Sequence, residues 1–104
     1  METQSAILDL EREWERADGF FGRLRDGVFD PTGLERLVRI LLDVRQVTTE
    51  SGSLDRRLVS LTWYIPLFMN WQRDRVQEQG GSVTDLDAAI NRVEGMLEEI
   101  LGVP

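Results

Sequence analysis

Nineteen carboxylates, twelve arginines, a single tyrosine and the serine and threonine hydroxyls are the groups from which this 104-residue chain would have to build any acid–base, nucleophilic or ligand chemistry. Histidine and cysteine are absent, and all twelve basic residues are arginine. That removes imidazole catalysis, thiolate chemistry, disulfides, lysine Schiff bases and the His and Cys metal sites. An enzyme would have to run on carboxylates and Tyr64. The sequence is therefore read as a non-enzyme, with no catalytic residue and no cofactor.

The carboxylates are unevenly placed. Residues 1–18 carry six acids against two arginines and residues 82–104 carry five against one, so each end is −4 within a total of −7 and the middle is +1. Glu11, Glu15 and Asp18 follow one another at i, i+4 and i+7, a helical spacing at which like charges repel by roughly a few tenths of a kcal/mol per pair. Asp87, Glu94 and Glu98 form a second such stripe near the C-terminal end. There Glu98 and Glu99 stand at the negative end of a helix macrodipole, where Lys or Arg is favoured. A local rule broken without visible compensation points toward function. If the first and last helices are neighbours, the two stripes join into one acidic face. That face would dock a basic protein, offering carboxylates where a nucleic-acid-handling partner expects phosphates. The plainer reading of both stripes is a solvated surface.

Direct nucleic-acid binding is not expected of so acidic a chain, because phosphate contact needs a net basic surface. The only dense basic region, Arg56-Arg57 with Arg73 and Arg75, is interleaved with Asp55, Asp74 and Glu78 and reads as self-neutralised. No metal site is expected either. Di-iron bundles need histidine, and no acidic loop of the EF-hand kind is present.

Among the segments, residues 58–71 stand out. Leu58, Leu61, Ile65 and Phe68 recur at helical spacing, with Val59, Trp63 and Leu67 as a second apolar row. A surface helix has one apolar stripe and a polar back, and this one exceeds that. Trp63, Tyr64, Leu67, Phe68 and Trp71 are read as a hydrophobic hub, serving as core or as an interface where Trp and Tyr concentrate binding energy. Asn70, flanked by apolar residues, is read as a buried polar group fixing register.

Four amphipathic segments carry these residues. The first spans 5–26, with Ile7, Leu10, Trp14, Ala17, Phe21, Leu24 and Val28 in alternating three- and four-residue steps. Gly19 and Gly22 interrupt it, and a stop near Gly19 with Phe20 and Phe21 as a separate plug is the alternative to a stop at Gly27. The second, 31–48, is announced by Asp30-Pro31. The third, 54–79, carries the hub and is expected to kink or split near Pro66, which cannot donate to the Thr62 carbonyl. The fourth, 84–101, opens on Thr84 as cap and ends at Gly102. No strand or repeat signal appears. The fold expected is all-α, a single domain over 1–104 folded as an antiparallel four-helix bundle.

No apolar run reaches the roughly 20 residues a bilayer crossing needs, and the start Met1-Glu2-Thr3-Gln4-Ser5 is acidic rather than basic, so a cytoplasmic protein without membrane contact is expected. The Trp-x-Gly turn of the small helical-hairpin proteins of the WXG100 type is missing: Trp14, Trp63 and Trp71 are followed by Glu15-Arg16, Tyr64-Ile65 and Gln72-Arg73. In size, acidity and lack of catalytic chemistry the chain is similar in class to immunity proteins, antitoxins and phage-encoded inhibitors of host defence nucleases such as anti-CRISPR proteins. The function expected is an inhibitor that neutralises a basic or nucleic-acid-handling protein by occupying its surface. A structural or regulatory homodimer assembled through the aromatic hub is the alternative.

Overall fold

Asp30 and Pro31 open the longest helix, and the cause is local. The Asp30 carboxylate accepts the Thr32 backbone N–H at 3.2 Å, and Pro31 takes the first helical position, where a missing N–H costs nothing. The structure, a computed structural model, describes residues 2–104. Its elements in chain order are α1 (Thr3–Glu15), α2 (Phe20–Arg25), α3 (Pro31–Ser51), α4 (Arg56–Thr62), α5 (Ile65–Trp71), α6 (Arg73–Glu78) and α7 (Val83–Leu101). The fold is all-α, with no strand among the described residues.

The expected helix over 5–26 is two helices. The chain leaves α1 after Glu15, turns through Arg16–Gly19 and restarts at Phe20. The glycines explain the break. A Cβ on Gly22 would stand 2.0 Å from the Arg16 carbonyl oxygen, and one on Gly19 would stand 2.5 Å from that of Glu13. Both glycines let α2 fold back against the last turn of α1 at a distance no side chain permits. Phe20, Phe21 and Leu24 are thereby driven fully into the core. Ala17 and Val28, two members of the apparent heptad, are left exposed.

The segment expected over 54–79 runs as α4, α5 and α6. Pro66 sits in the first turn of α5, where its missing N–H leaves no carbonyl without an expected donor. Trp63 and Tyr64, between α4 and α5, keep right-handed helical dihedrals, as does Gln72 between α5 and α6. The hydrogen-bond ladder lapses at these points while the backbone stays in the helical region. Asn70 is exposed rather than buried, and its side-chain amide donates to the Pro66 carbonyl at 2.9 Å. Its polarity closes a local turn and does not fix register. The cap of α7 is Ser82, whose hydroxyl accepts the Asp85 N–H at 3.1 Å, in place of Thr84.

The helices pack as a ring of pairs: α1 on α3, α3 on α7, α7 on α5 and α6, and α4 back on α1, with α2 wedged between α1 and α3. Their buried faces form one core that includes Leu10, Phe21, Leu37, Leu41, Leu58, Ile65, Met69, Val76, Leu86 and Val93. Arginine–carboxylate pairs span the seams. Arg57 meets Glu11 at 2.7 Å between α4 and α1, Arg36 meets Glu13 at 3.1 Å between α3 and α1, and Arg92 meets Glu35 at 2.8 Å between α7 and α3. Arg45 also pairs with Glu99 across α3 and α7. The pairs with both partners open to solvent, such as Arg92 with Glu35 and Arg45 with Glu99, contribute about 0–1 kcal/mol each, whereas the Glu13 carboxylate is buried. The Cα radius of gyration, 13.5 Å, is close to the roughly 13 Å of a packed 100-residue domain. Apolar groups left outside are therefore not the result of a loose fold. No helix is long and apolar enough to cross a membrane, among the described residues.

Candidate functional site

The aromatic hub divides when folded. Phe68 turns inward and is buried, with its ring edge-on to Trp14 at 5.1 Å and to Phe21 at 5.7 Å. Trp14 closes this layer by stacking on Phe21 at 3.9 Å, and its indole N–H donates to the Leu61 carbonyl at 2.9 Å. The Arg25 guanidinium lies over Trp14 and Phe68 at 5.9 and 5.4 Å from the ring centres, tied there by a 2.7 Å hydrogen bond to the Trp14 carbonyl. Aromatic burial and a cation on the ring faces make this layer a rigid base.

Above that base the rest of the hub faces out. Trp63, Leu67 and Trp71, spaced four residues apart, are 53, 45 and 64% exposed. Tyr64 is half-buried between them, with ring centres 5.4 Å from Trp63 and 5.6 Å from Trp71 in edge-to-face contact. The result is an apolar ridge that starts at the turn after α4 and runs along α5, held from beneath by Tyr64. Two tryptophans more than half exposed on one row depart from the usual soluble surface, where lone apolar residues are scattered.

Trp63 forms a wall between two clefts. On one side Trp14, Arg25, Ser60, Leu61 and Tyr64 line a cleft of about 360 Å³ with Arg25 at its edge. On the other, Trp63 and Pro66 face Glu94, Leu97, Glu98 and Leu101 of the last two turns of α7 and its cap Gly102 across about 250 Å³. The ridge is therefore flanked by a cation on one side and two carboxylates on the other.

The six carboxylates of the expected acidic face fare differently. Glu11 is paired with Arg57, and Asp87 accepts two hydrogen bonds from Arg73 at 2.8 and 3.0 Å, which ties α6 to α7 and raises the Arg73 pKa. Asp18 lies off the helix, in the turn after α1, where Arg16 binds it at 2.9 Å and holds its carboxyl below the usual carboxylate range. Glu15, Glu94 and Glu98 are exposed and have no ion-pair partner among the described residues. The premise that joined the stripes also fails. The packed pairs run from α1 to α3 and from α3 to α7, so α1 and α7 do not meet as neighbours. What α7 retains is Glu94 and Glu98, beside the ridge.

Another concave region lies where α1 meets α3, lined by Arg12, Glu13, Arg16, Asp18, Gly19, Arg23 and Arg36. It is neutralised from within: Arg12 with Asp9, Arg16 with Asp18, Arg23 with Asp30 and Arg36 with Glu13. Sequence reasoning missed Trp14, Arg25, Leu97 and Leu101 as lining residues. For Leu97 and Leu101 the signal was Glu98 at the wrong end of the α7 dipole, which has no basic residue in its last turn, whereas nothing in the sequence pointed to Trp14 and Arg25. Comparison of the chain with protein-family models, curated proteins and solved structures yields no match.

Proposed function

We propose that this protein acts by binding another protein through the Trp63–Leu67–Trp71 ridge, the partner being basic around an apolar contact. The observation that supports this is the exposure of two tryptophans and a leucine in one row on a firmly packed base. Binding energy at interfaces concentrates in Trp, Tyr and Arg at rigid positions that lose little entropy on contact. Glu94 and Glu98 at the flank, within a chain of net charge −7, select for a basic partner and raise its encounter rate. Occupying that partner's surface is how such a protein would inhibit a basic or nucleic-acid-handling protein. The same reading takes α1–α2, α3, α4–α6 and α7 as the four legs of an antiparallel bundle that presents the ridge on its third leg.

A second copy is the disfavoured occupant, because an isologous contact would bring together two chains of charge −7 with both copies' Glu94 and Glu98 near the seam. Light scattering at micromolar concentration tests this choice. Wild type and Leu67→Asp are both expected to be monomers. A wild-type dimer that Leu67→Asp splits would assign the ridge to self-assembly and overturn the heterologous reading.

A further inference from the structure

We infer that the cleft between Trp63 and the last two turns of α7 receives an arginine side chain of the partner. This rests on the ridge being a heterologous docking face and says what chemistry its flank reads. Three features of the cleft favour a cation on an apolar stem. Pro66, Leu97 and Leu101 give an apolar lining for methylenes. Trp63, more than half exposed, gives an indole ring, which attracts a cation and stacks on a planar guanidinium. Glu94 and Glu98 lie one helical turn apart on α7 and line the same cleft, a spacing that lets two carboxylates share the five N–H donors of one guanidinium.

The surroundings agree. The negative end of the α7 dipole is at the last turn, and no basic residue there offsets it. Glu99, the neighbouring carboxylate, is already paired with Arg45 and is not in the cleft lining. At about 250 Å³ the space falls below the roughly 300–1,000 Å³ of pockets that hold small molecules and suits one side chain. Lysine, a strongly hydrated point charge, would use the carboxylates but not the ring plane.

The test is an NMR titration of the intact protein with N-acetyl-arginine amide, read at the Trp63 indole N–H and the Leu97 and Leu101 methyls. N-acetyl-lysine amide and N-acetyl-norleucine amide serve as controls. A saturable shift confined to these groups is expected with the arginine probe, several-fold weaker with lysine and absent with norleucine. Glu94→Gln/Glu98→Gln should weaken binding by up to about fivefold, as loss of up to about 1 kcal/mol implies. Trp63→Leu, which keeps an apolar wall, should weaken it about two- to fivefold. The replaced side chains are surface-exposed, and an unchanged methyl spectrum establishes that each variant is folded. Equal binding of norleucine or lysine, or no effect of the double Gln variant, would overturn the assignment. A null titration of a monomeric protein defeats the cleft alone, whereas a ridge-dependent dimer defeats the docking reading itself.

Discussion

Glu13 shows how one side chain joins three elements. It is 7% exposed on α1, accepts the Phe20 N–H at the start of α2 at 2.8 Å, and takes two hydrogen bonds from Arg36 of α3 at 3.1 and 3.2 Å. Those bonds raise the Arg36 pKa, burial opposing. Glu13→Ala leaves a buried N–H and a guanidinium without their acceptor, so a loss of about 1–3 kcal/mol is expected in urea denaturation. Glu13→Gln, which keeps an acceptor, should lose less; equal stability of Glu13→Ala and wild type would refute the role. Asp18 is the contrasting case. Its pKa is lowered first by the Arg16 hydrogen bond and then by the Arg16 charge. A depressed folded pKa contributes stability that is present above the unfolded carboxylate value and is lost as pH falls through the folded one. Because Asp18 is fully exposed, salt should screen the effect. Side-chain carboxyl NMR should show the Asp18 pKa returning upward in Arg16→Gln, and an unchanged titration would mean that the contact does not persist in solution. Neither residue's role was legible in sequence: Glu13 fell outside the expected stripe, and Asp18 was placed on a helix that ends before it.

At the scale of elements, two glycines with the same local propensity should behave oppositely. Gly22→Ala drives a methyl into the Arg16 carbonyl and should destabilise by about 1–3 kcal/mol, as overpacking does. Gly95→Ala, inside α7 with nothing within 4 Å of the added carbon, should stabilise by roughly 0.5–1 kcal/mol through helix propensity. Thermal or urea melts of the pair settle it; a stabilising Gly22→Ala would contradict the close approach of α2 to α1. Periodicity alone favoured the wrong boundary here, since Trp14, Phe21 and Leu24 keep heptad register through the turn. The alternative stop near Gly19 was visible, but the backbone contact that decides between them is tertiary. α3 and α7 were legible because signals stand beside them, Asp30-Pro31 before one and Gly102 after the other, although α3 runs on to Ser51 past the expected end at 48 and the cap of α7 is Ser82 rather than Thr84. The ladder lapses at Trp63 and Tyr64, ahead of Pro66, and again at Gln72, where there is no proline, and the retention of helical dihedrals at all three was not readable from the sequence.

For the whole molecule, the surplus apolar surface of the Leu58–Trp71 stretch was legible and its division was not. Which half stays outside depends on Trp14 and Phe21 arriving from α1 and α2 to cover Phe68. The acidic ends were legible as charge, yet the pairing of Glu11 with Arg57 and of Asp87 with Arg73 depends on which helices meet. Removing those two from the acidic face leaves Glu94 and Glu98 beside the ridge and joins two features that looked separate in the sequence. The central claim is that this ridge holds a basic partner rather than a second copy. Photo-crosslinking in the native host tests it most directly, with p-benzoylphenylalanine replacing Leu67 on the ridge and, as control, exposed Arg39 of α3. One heterologous basic protein should crosslink from position 67, be lost in Glu94→Arg/Glu98→Arg, and be missing from position 39. An adduct between two copies of this chain, or the same adduct from both positions, would contradict the account.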